Sequence, residues 1–261
     1  MAKVVLVTGA TDGLGRALAA SLARSGATVL VHGRSEERLA ATLAEVPGAR
    51  AYRADLASLA EVRGLAADVL EREPRLDVLV SNAGIGATVP GGGARMESAD
   101  GHELRFAVNY LAGYLLSREL VPLLVRSAPA RIVHVASAGQ APIDFGDVML
   151  ERAYSGVQAY CQSKLAQIML AFDQAEALTG RAVTATALHP ATYMPTKIVP
   201  APISTLEEGV RATQRVVDDP ALAGVTGRYF DGVREAHADP QAYDATARAR
   251  LRELSERLTG A

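Results

Sequence analysis

The stretch Val4-Val5-Leu6-Val7-Thr8-Gly9-Ala10-Thr11-Asp12-Gly13-Leu14-Gly15-Arg16 decides how this chain is read. Four aliphatic residues without polar alternation predict a strand covered on both faces. The strand runs into a turn with glycines at 9, 13 and 15, then into an Ala/Leu-rich helix. Such glycines permit a tight turn and a close approach of backbone to a pyrophosphate. The free N–H groups and positive dipole end of the next helix then face the phosphates. Alone, a glycine-rich turn is only a tight connection. Placed directly after a buried amino-terminal strand, it reads as a dinucleotide loop made by Thr8, Gly9, Thr11, Asp12, Gly13, Leu14 and Gly15.

Outward from that loop the same alternation repeats. Strands are expected at 4–8, 28–32, 50–54, 78–81, 131–136, 183–188 and 228–230. Helical patterns fall near 14–25, 36–45, 58–72, 100–126, 157–178 and 206–218. Strand followed by helix, six times over, predicts an α/β, doubly wound parallel sheet of about seven strands with helices on both faces. No composition break or repeat divides residues 1–261, so one domain is expected, with a helical tail near 240–258. Three stretches break the alternation, at about 86–100, 140–157 and 189–205, and all follow strand carboxyl ends, where ligands sit in open α/β sheets.

The balance of 27 basic against 29 acidic residues, with no like-charged block, argues against nucleic acid or an anionic membrane as partner. One cysteine, Cys161, rules out an intramolecular disulfide and a multi-cysteine metal site. The five histidines show no paired ligand spacing, so no metal site is expected. No apolar run reaches the roughly 18 residues of a membrane span, and the first residues turn polar too early for a secretory signal. A cytoplasmic protein acting on a small molecule is the expectation.

At the end of the second strand, Val31-His32-Gly33-Arg34-Ser35 carries no acid and an arginine just beyond. An acid there would hold a free ribose 2′-hydroxyl, whereas a guanidinium pairs with a 2′-phosphate. Arg34 therefore favours NADP(H) over NAD(H), although Glu36 and Glu37 stand close enough to neutralise it. Tyr160 and Lys164 share a helix face at i and i+4. A fixed positive charge favours the phenolate and lowers the tyrosine pKa, making the phenol an acid or base near neutrality. With eight tyrosines and three lysines (Lys3, Lys164, Lys197), chance supplies only about 0.09 such pairs.

Together these residues resemble the short-chain dehydrogenase/reductase family. The glycine pattern Thr8 to Gly15, Asp55-Leu56, Asn82-Ala83-Gly84, Asn109, Ser137 and Tyr160 with Lys164 occur in the family's order. The segment Ala159 to Ala166 looks like the subgroup of retinol-dehydrogenase-like and related oxidoreductases. The resemblance implies a Rossmann-type fold and a homodimer or homotetramer. It implies that Tyr160 exchanges a proton with the substrate oxygen, that Lys164 depresses its pKa and holds the nicotinamide ribose, and that Ser137 polarises the carbonyl. Asn109 would order a relay water, Asp55 and Leu56 would contact the adenine, and Asn82, Ala83 and Gly84 would line the cofactor cleft, closed by Pro190 and Thr192 or Thr196.

This chain departs from the family in three places. Pro190-Ala191 replaces the usual Pro-Gly, and Ser137 and Tyr160 lie 160 − 137 = 23 positions apart, so residues 141–156 must loop out. Asp12 stands where many NADP-preferring members carry a base. Val89, Met96, Ile143, Phe145, Val148, Met149, Tyr193, Met194 and Ile198 in the three loops suggest pocket walls suited to an apolar carbonyl or alcohol. The other readings are a non-catalytic NADP(H)-binding sensor and a nucleotide-sugar epimerase or dehydratase. A serine hydrolase is set aside because Val135-Ala136-Ser137-Ala138-Gly139 lacks the first glycine of the nucleophile turn.

Overall fold

The computed structural model describes residues 2–88, 91–196 and 201–261. Val89 and Ile198, two of the expected pocket residues, lie outside them. Eight strands form one sheet in the order β3-β2-β1-β4-β5-β6-β7-β8. They are β1 (Val4–Val7), β2 (Thr28–Gly33), β3 (Arg50–Arg53), β4 (Val78–Ser81), β5 (Ala130–Val135), β6 (Val183–His189), β7 (Arg228–Asp231) and β8 (Arg234–Ala236). β1 to β7 are parallel, with Val5 beside Val29 on one side and Val78 on the other. β8 adds an antiparallel edge, pairing Phe230 with Glu235. Its three residues, two of them charged, carry too little apolar pattern to read as a strand, and a short charged edge strand resists further pairing.

The uninterrupted apolar character of β1 comes from cover on both faces. Val4 and Leu6 pack with α3 (Leu59–Arg72) and α5 (Ala112–Arg126). Val5 and Val7 point the other way, into α1 (Gly13–Arg24) and α7 (Leu206–Asp218). Fully burying one such aliphatic side chain stabilises the fold by about 1.5–3 kcal/mol. α2 (Glu36–Glu45) joins the α1 layer through Leu39. A third core seats α6 (Gly156–Ala177) against the carboxy-terminal helix α8 (Ala245–Thr259).

The helix expected over 100–126 starts later and is not uniform. A single turn, α4 (Leu104–Phe106), leads into a π-helical turn at Ala107–Leu111 before α5. Asn109 sits in that turn, and the wider winding re-aims its side chain. Among the described residues no helix is long and apolar enough to cross a membrane.

The sheet order reverses between β1 and β4, so their carboxyl ends open a crevice. Gly15 is forced by close packing there: a Cβ would lie 2.3 Å from the Gly9 carbonyl oxygen and 2.5 Å from Asn82 Nδ2. Gly64, inside α3, meets nothing within 4 Å. Gly15→Ala is expected to cost about 1–3 kcal/mol in urea unfolding, while Gly64→Ala gains about 0.5–1 kcal/mol. Equal stabilities for the two variants would contradict this packing.

Candidate active site

The crevice is built first by a latch. Thr8 Oγ1 accepts the N–H groups of Asn82 (2.9 Å) and Ala83 (3.0 Å), and Asn82 Nδ2 donates to the Thr8 carbonyl at 2.8 Å. These two side chains, expected to touch cofactor, are engaged in joining β1 to the segment after β4. Gly9 takes a positive φ of 65°, and a Cβ there would meet Ala83 Cα at 2.9 Å. Its N–H donates to His32 Nδ1 (3.1 Å), and His32 Nε2 lies 3.1 Å from the Ala54 carbonyl. Burial pushes the His32 pKa down to about 4, so the ring is neutral with its proton on Nε2. His32 is a cross-tie between the glycine loop and the end of β3 that sequence reasoning missed; only its place beside Gly33 could have signalled it.

Asp12 caps α1 by accepting the Gly13 N–H (2.9 Å) and has Arg38 Nη1 3.8 Å away. Arg34 projects from the end of β2 with its side chain 75% exposed, 3.8 Å from Asp55. The carboxylate beside it is thus Asp55, while Glu36 pairs with Arg53. Leu56 is buried in the core with Tyr52 and Val62, so its side chain is not available to an adenine. Pro190 is buried, whereas Thr192 is exposed and 3.0 Å from His189 Nε2. Thr196, by contrast, leans on the glycine loop, its Cγ2 3.1 Å from where a Gly13 Cβ would stand. The strand-β6 loop therefore folds back over the nucleotide turn.

The four expected catalytic residues converge at the other end of the crevice. Ser155 caps α6, so Tyr160 and Lys164 fall on its second and third turns, facing the sheet. Lys164 Nζ is 5.7 Å from the Tyr160 ring centre and donates to the Val135 carbonyl (3.0 Å) and Gln167 Oε1 (2.9 Å). Asn109 Oδ1 accepts the Ile85 N–H at 2.8 Å, and Nδ2 donates to Ser163 Oγ at 2.9 Å. Gly84 leaves the gap between these groups: a Cβ there would stand 3.2 Å from Asn109 Oδ1 and 3.4 Å from Lys164 Nζ. The Ser137 carbonyl is held by the Tyr229 hydroxyl, and its own hydroxyl accepts the Gly139 N–H.

The electrostatics differ from the expectation that Lys164 depresses the phenol. Burial raises the Tyr160 pKa, against a lowering by its hydrogen bond with Ser137 and a further rise from Tyr193. Burial also lowers Lys164 to about 7. A lysine that is itself half-neutral at that pH is no fixed cation, so desolvation of each charged form governs the pair.

Arg105, which no motif flagged, is fully buried beside a fully buried Glu103. It donates to the carbonyls of Gly86 (2.8 Å) and Ala87 (2.9 Å) and to the Tyr154 hydroxyl (2.6 Å), which donates on to Glu103. One guanidinium thus pins the loop after β4 to the insertion before α6. Ile143 and Val148 of that insertion pack into the core, and Phe145 lies under Arg250, so these three are not open pocket walls. Met96, Val157 and Tyr193 remain exposed.

Residues 3–201 match the family model of the short chain dehydrogenases. The chain belongs to that family. Human retinol dehydrogenase 14 is 36% identical across 99% of this chain and 86% of its own length. A crystal structure of an uncharacterized protein from Mycobacterium paratuberculosis superposes with TM-score 0.81 at 29% identity, covering 99% of this chain and 94% of that one. The RhlG/NADP active-site complex of Pseudomonas aeruginosa gives TM-score 0.71 at 29% identity, over 88% and 94% of the two chains.

Removing Arg105 strands a buried carboxylate and two loop carbonyls, which costs about 3–5 kcal/mol. Arg105→Met is expected to lose that much in chemical denaturation, and Glu103→Gln with Arg105→Met less than the sum of the single losses. A loss under about 1 kcal/mol would mean the cluster holds nothing.

Proposed function

We propose that this chain is an NADP(H)-dependent oxidoreductase that moves hydride between nicotinamide and an apolar ketone, aldehyde or alcohol. The observation that carries the reading is a chain of contacts: Asn109 and Lys164 meet at the gap left by Gly84, Lys164 stands beside the Tyr160 ring, and Tyr160 is hydrogen-bonded to Ser137. That gap, with the Gly9–Gly15 turn and the α1 amino terminus, fits a dinucleotide: each is a place where a Cβ would intrude. When bound, the nicotinamide supplies or accepts the hydride, and the protein contributes placement and proton transfer. The glycine loop would hold the pyrophosphate, Asp55 the adenosine, and Lys164 the nicotinamide ribose.

Arg34 supports NADP(H), because its guanidinium is exposed and the carboxylate beside it, Asp55, stands 3.8 Å away rather than as a close bidentate partner. A paired titration with NADPH and NADH tests this. NADPH is expected to bind more tightly, and Arg34→Ala to weaken it about 10- to 100-fold while sparing NADH. An unchanged preference would remove Arg34 from the role. Met96 and Tyr193, two of the expected pocket residues, are exposed, which favours an apolar substrate, and the relative named for retinol acts on a molecule of that kind. The same reading puts the enzyme in the cytoplasm as a homodimer or homotetramer, which light scattering on the purified protein checks.

The burial-raised Tyr160 keeps its proton at neutral pH, which is the form a carbonyl reduction consumes. The sign follows: reduction is flat through neutrality and falls once pH passes the raised phenol pKa, above the ordinary value of about 10, whereas alcohol oxidation climbs toward that pH. Tyr160→Phe is expected to abolish turnover in both directions while cofactor binding persists. Retained turnover would displace Tyr160 as the proton donor.

A further inference from the structure

Among the described residues, Lys164 meets no carboxylate: its charge is held by neutral acceptors. Its ammonium donates to the Val135 carbonyl and to Gln167 Oε1, which accounts for two of three N–H donors and leaves one for the cleft beside Gly84. Gln167 is 1% exposed, one helical turn beyond Lys164 on α6, and its Nε2 has no partner among the described residues. A buried amide that leaves its donor unpaired is normally selected against. Here the carbonyl half is spent on a lysine, and the opposite half could serve the same lysine after rotation of the amide: Oε1 accepts from an ammonium, Nε2 donates to an amine lone pair.

We propose that Gln167 is a positioning residue for Lys164, holding its Nζ against the carboxyl end of β5 with one N–H directed to the cleft. The proposal rests on the oxidoreductase reading above, and it deepens that reading by naming what fixes the lysine. A neutral partner suits the site for a reason of charge. Burial already brings Lys164 down to about 7, and a carboxylate at 167 would return it to a permanent cation. The titratable groups facing Lys164 are Tyr160 on its own helix, His134 on β5 and His189 at the end of β6. Both histidines are pushed down by burial, His134 to about 4, and Tyr160 is pushed up, so all three are neutral around pH 7 and the uncharged amide is the remaining lever.

The chain has only two other lysines, Lys3 and Lys197, so a lysine-selective carbon-13 label read by NMR reports Lys164 directly, without substrate. The signal lost in Lys164→Met assigns it. In wild type it is expected to titrate well below the ordinary lysine value of about 10.4. Gln167→Leu and Gln167→Met should move it down by about one unit, because the ammonium loses an acceptor. Gln167→Glu should move it up by about 1–3 units. A purely structural role for Gln167 would shift Lys164 the same way in all three variants or not at all, and either result overturns the proposal. Failure of the oxidoreductase reading shows separately, as wild-type protein that neither binds NADPH nor NADH nor turns over any carbonyl while the lysine shifts are still seen.

Discussion

The Thr8 hydroxyl accepts two backbone N–H groups from the segment after β4, and the Asn82 amide returns a hydrogen bond to the Thr8 carbonyl. This is the point where the sheet divides, β2 and β3 leaving β1 on one side and β4 to β8 on the other. Without a tie, two parallel strand ends at a switch point would splay, and their connecting loops would have no common reference. With it, the glycine turn is pressed so close to Asn82 and Ala83 that no side chain fits at 9 or 15. The same small volume that excludes a Cβ is what lets backbone N–H groups reach a phosphate. Fold and proposed nucleotide site are therefore one constraint, seen from inside and from outside the sheet.

The other end of the crevice obeys a different rule. Tyr160, Lys164, His134 and His189 are all shifted toward their neutral forms, and burial is the leading cause in every case. A site built this way stores no permanent charge. Its protons sit on groups that can give them up or take them back at modest cost, and the donors and acceptors around them are carbonyls, hydroxyls and amides. Charge is kept at the periphery, where Arg34 and Asp55 stand in solvent, or locked into a closed cluster such as Arg105 with Glu103.

Much of this was legible in the residues. The four aliphatic positions of β1 announced a strand covered twice, and Val4, Leu6 against Val5, Val7 turned out to divide between two helix layers. The Tyr160–Lys164 spacing and the order of Asn109 and Ser137 picked out side chains that the fold brings near one another, because each depends on local geometry, a helix face or a strand end. What escaped was long-range. Arg105 looks like one more surface base in an amphipathic pattern, and only the folded chain brings Gly86, Ala87 and Tyr154 to it. Ile143, Val148 and Leu56 are apolar in loops or at a strand end, and sequence alone cannot say whether such residues face a ligand or the core. The direction of the Tyr160 shift escaped for the same reason: a neighbouring lysine is visible in the sequence, but the depth at which both are buried is not.

That division also indicates where variation in substrate can be accommodated. The loop after β4 is held by Arg105, and the insertion before α6 is pinned by Tyr154, by Gln162 on the Val148 carbonyl and by Gln241 on Ile143. Changing a residue that these bonds traverse alters the fold before it alters the pocket. The side chains of Met96, Val157 and Tyr193 stand exposed, outside these bonds. Tyr193 takes a positive φ of 49° and holds the Ile203 N–H through its carbonyl, so its backbone is committed while its ring is not. On the proposed reading, a rigid floor of neutral hydrogen-bonding groups keeps the chemistry constant, and substrate shape is left to a few side chains that the fold does not need.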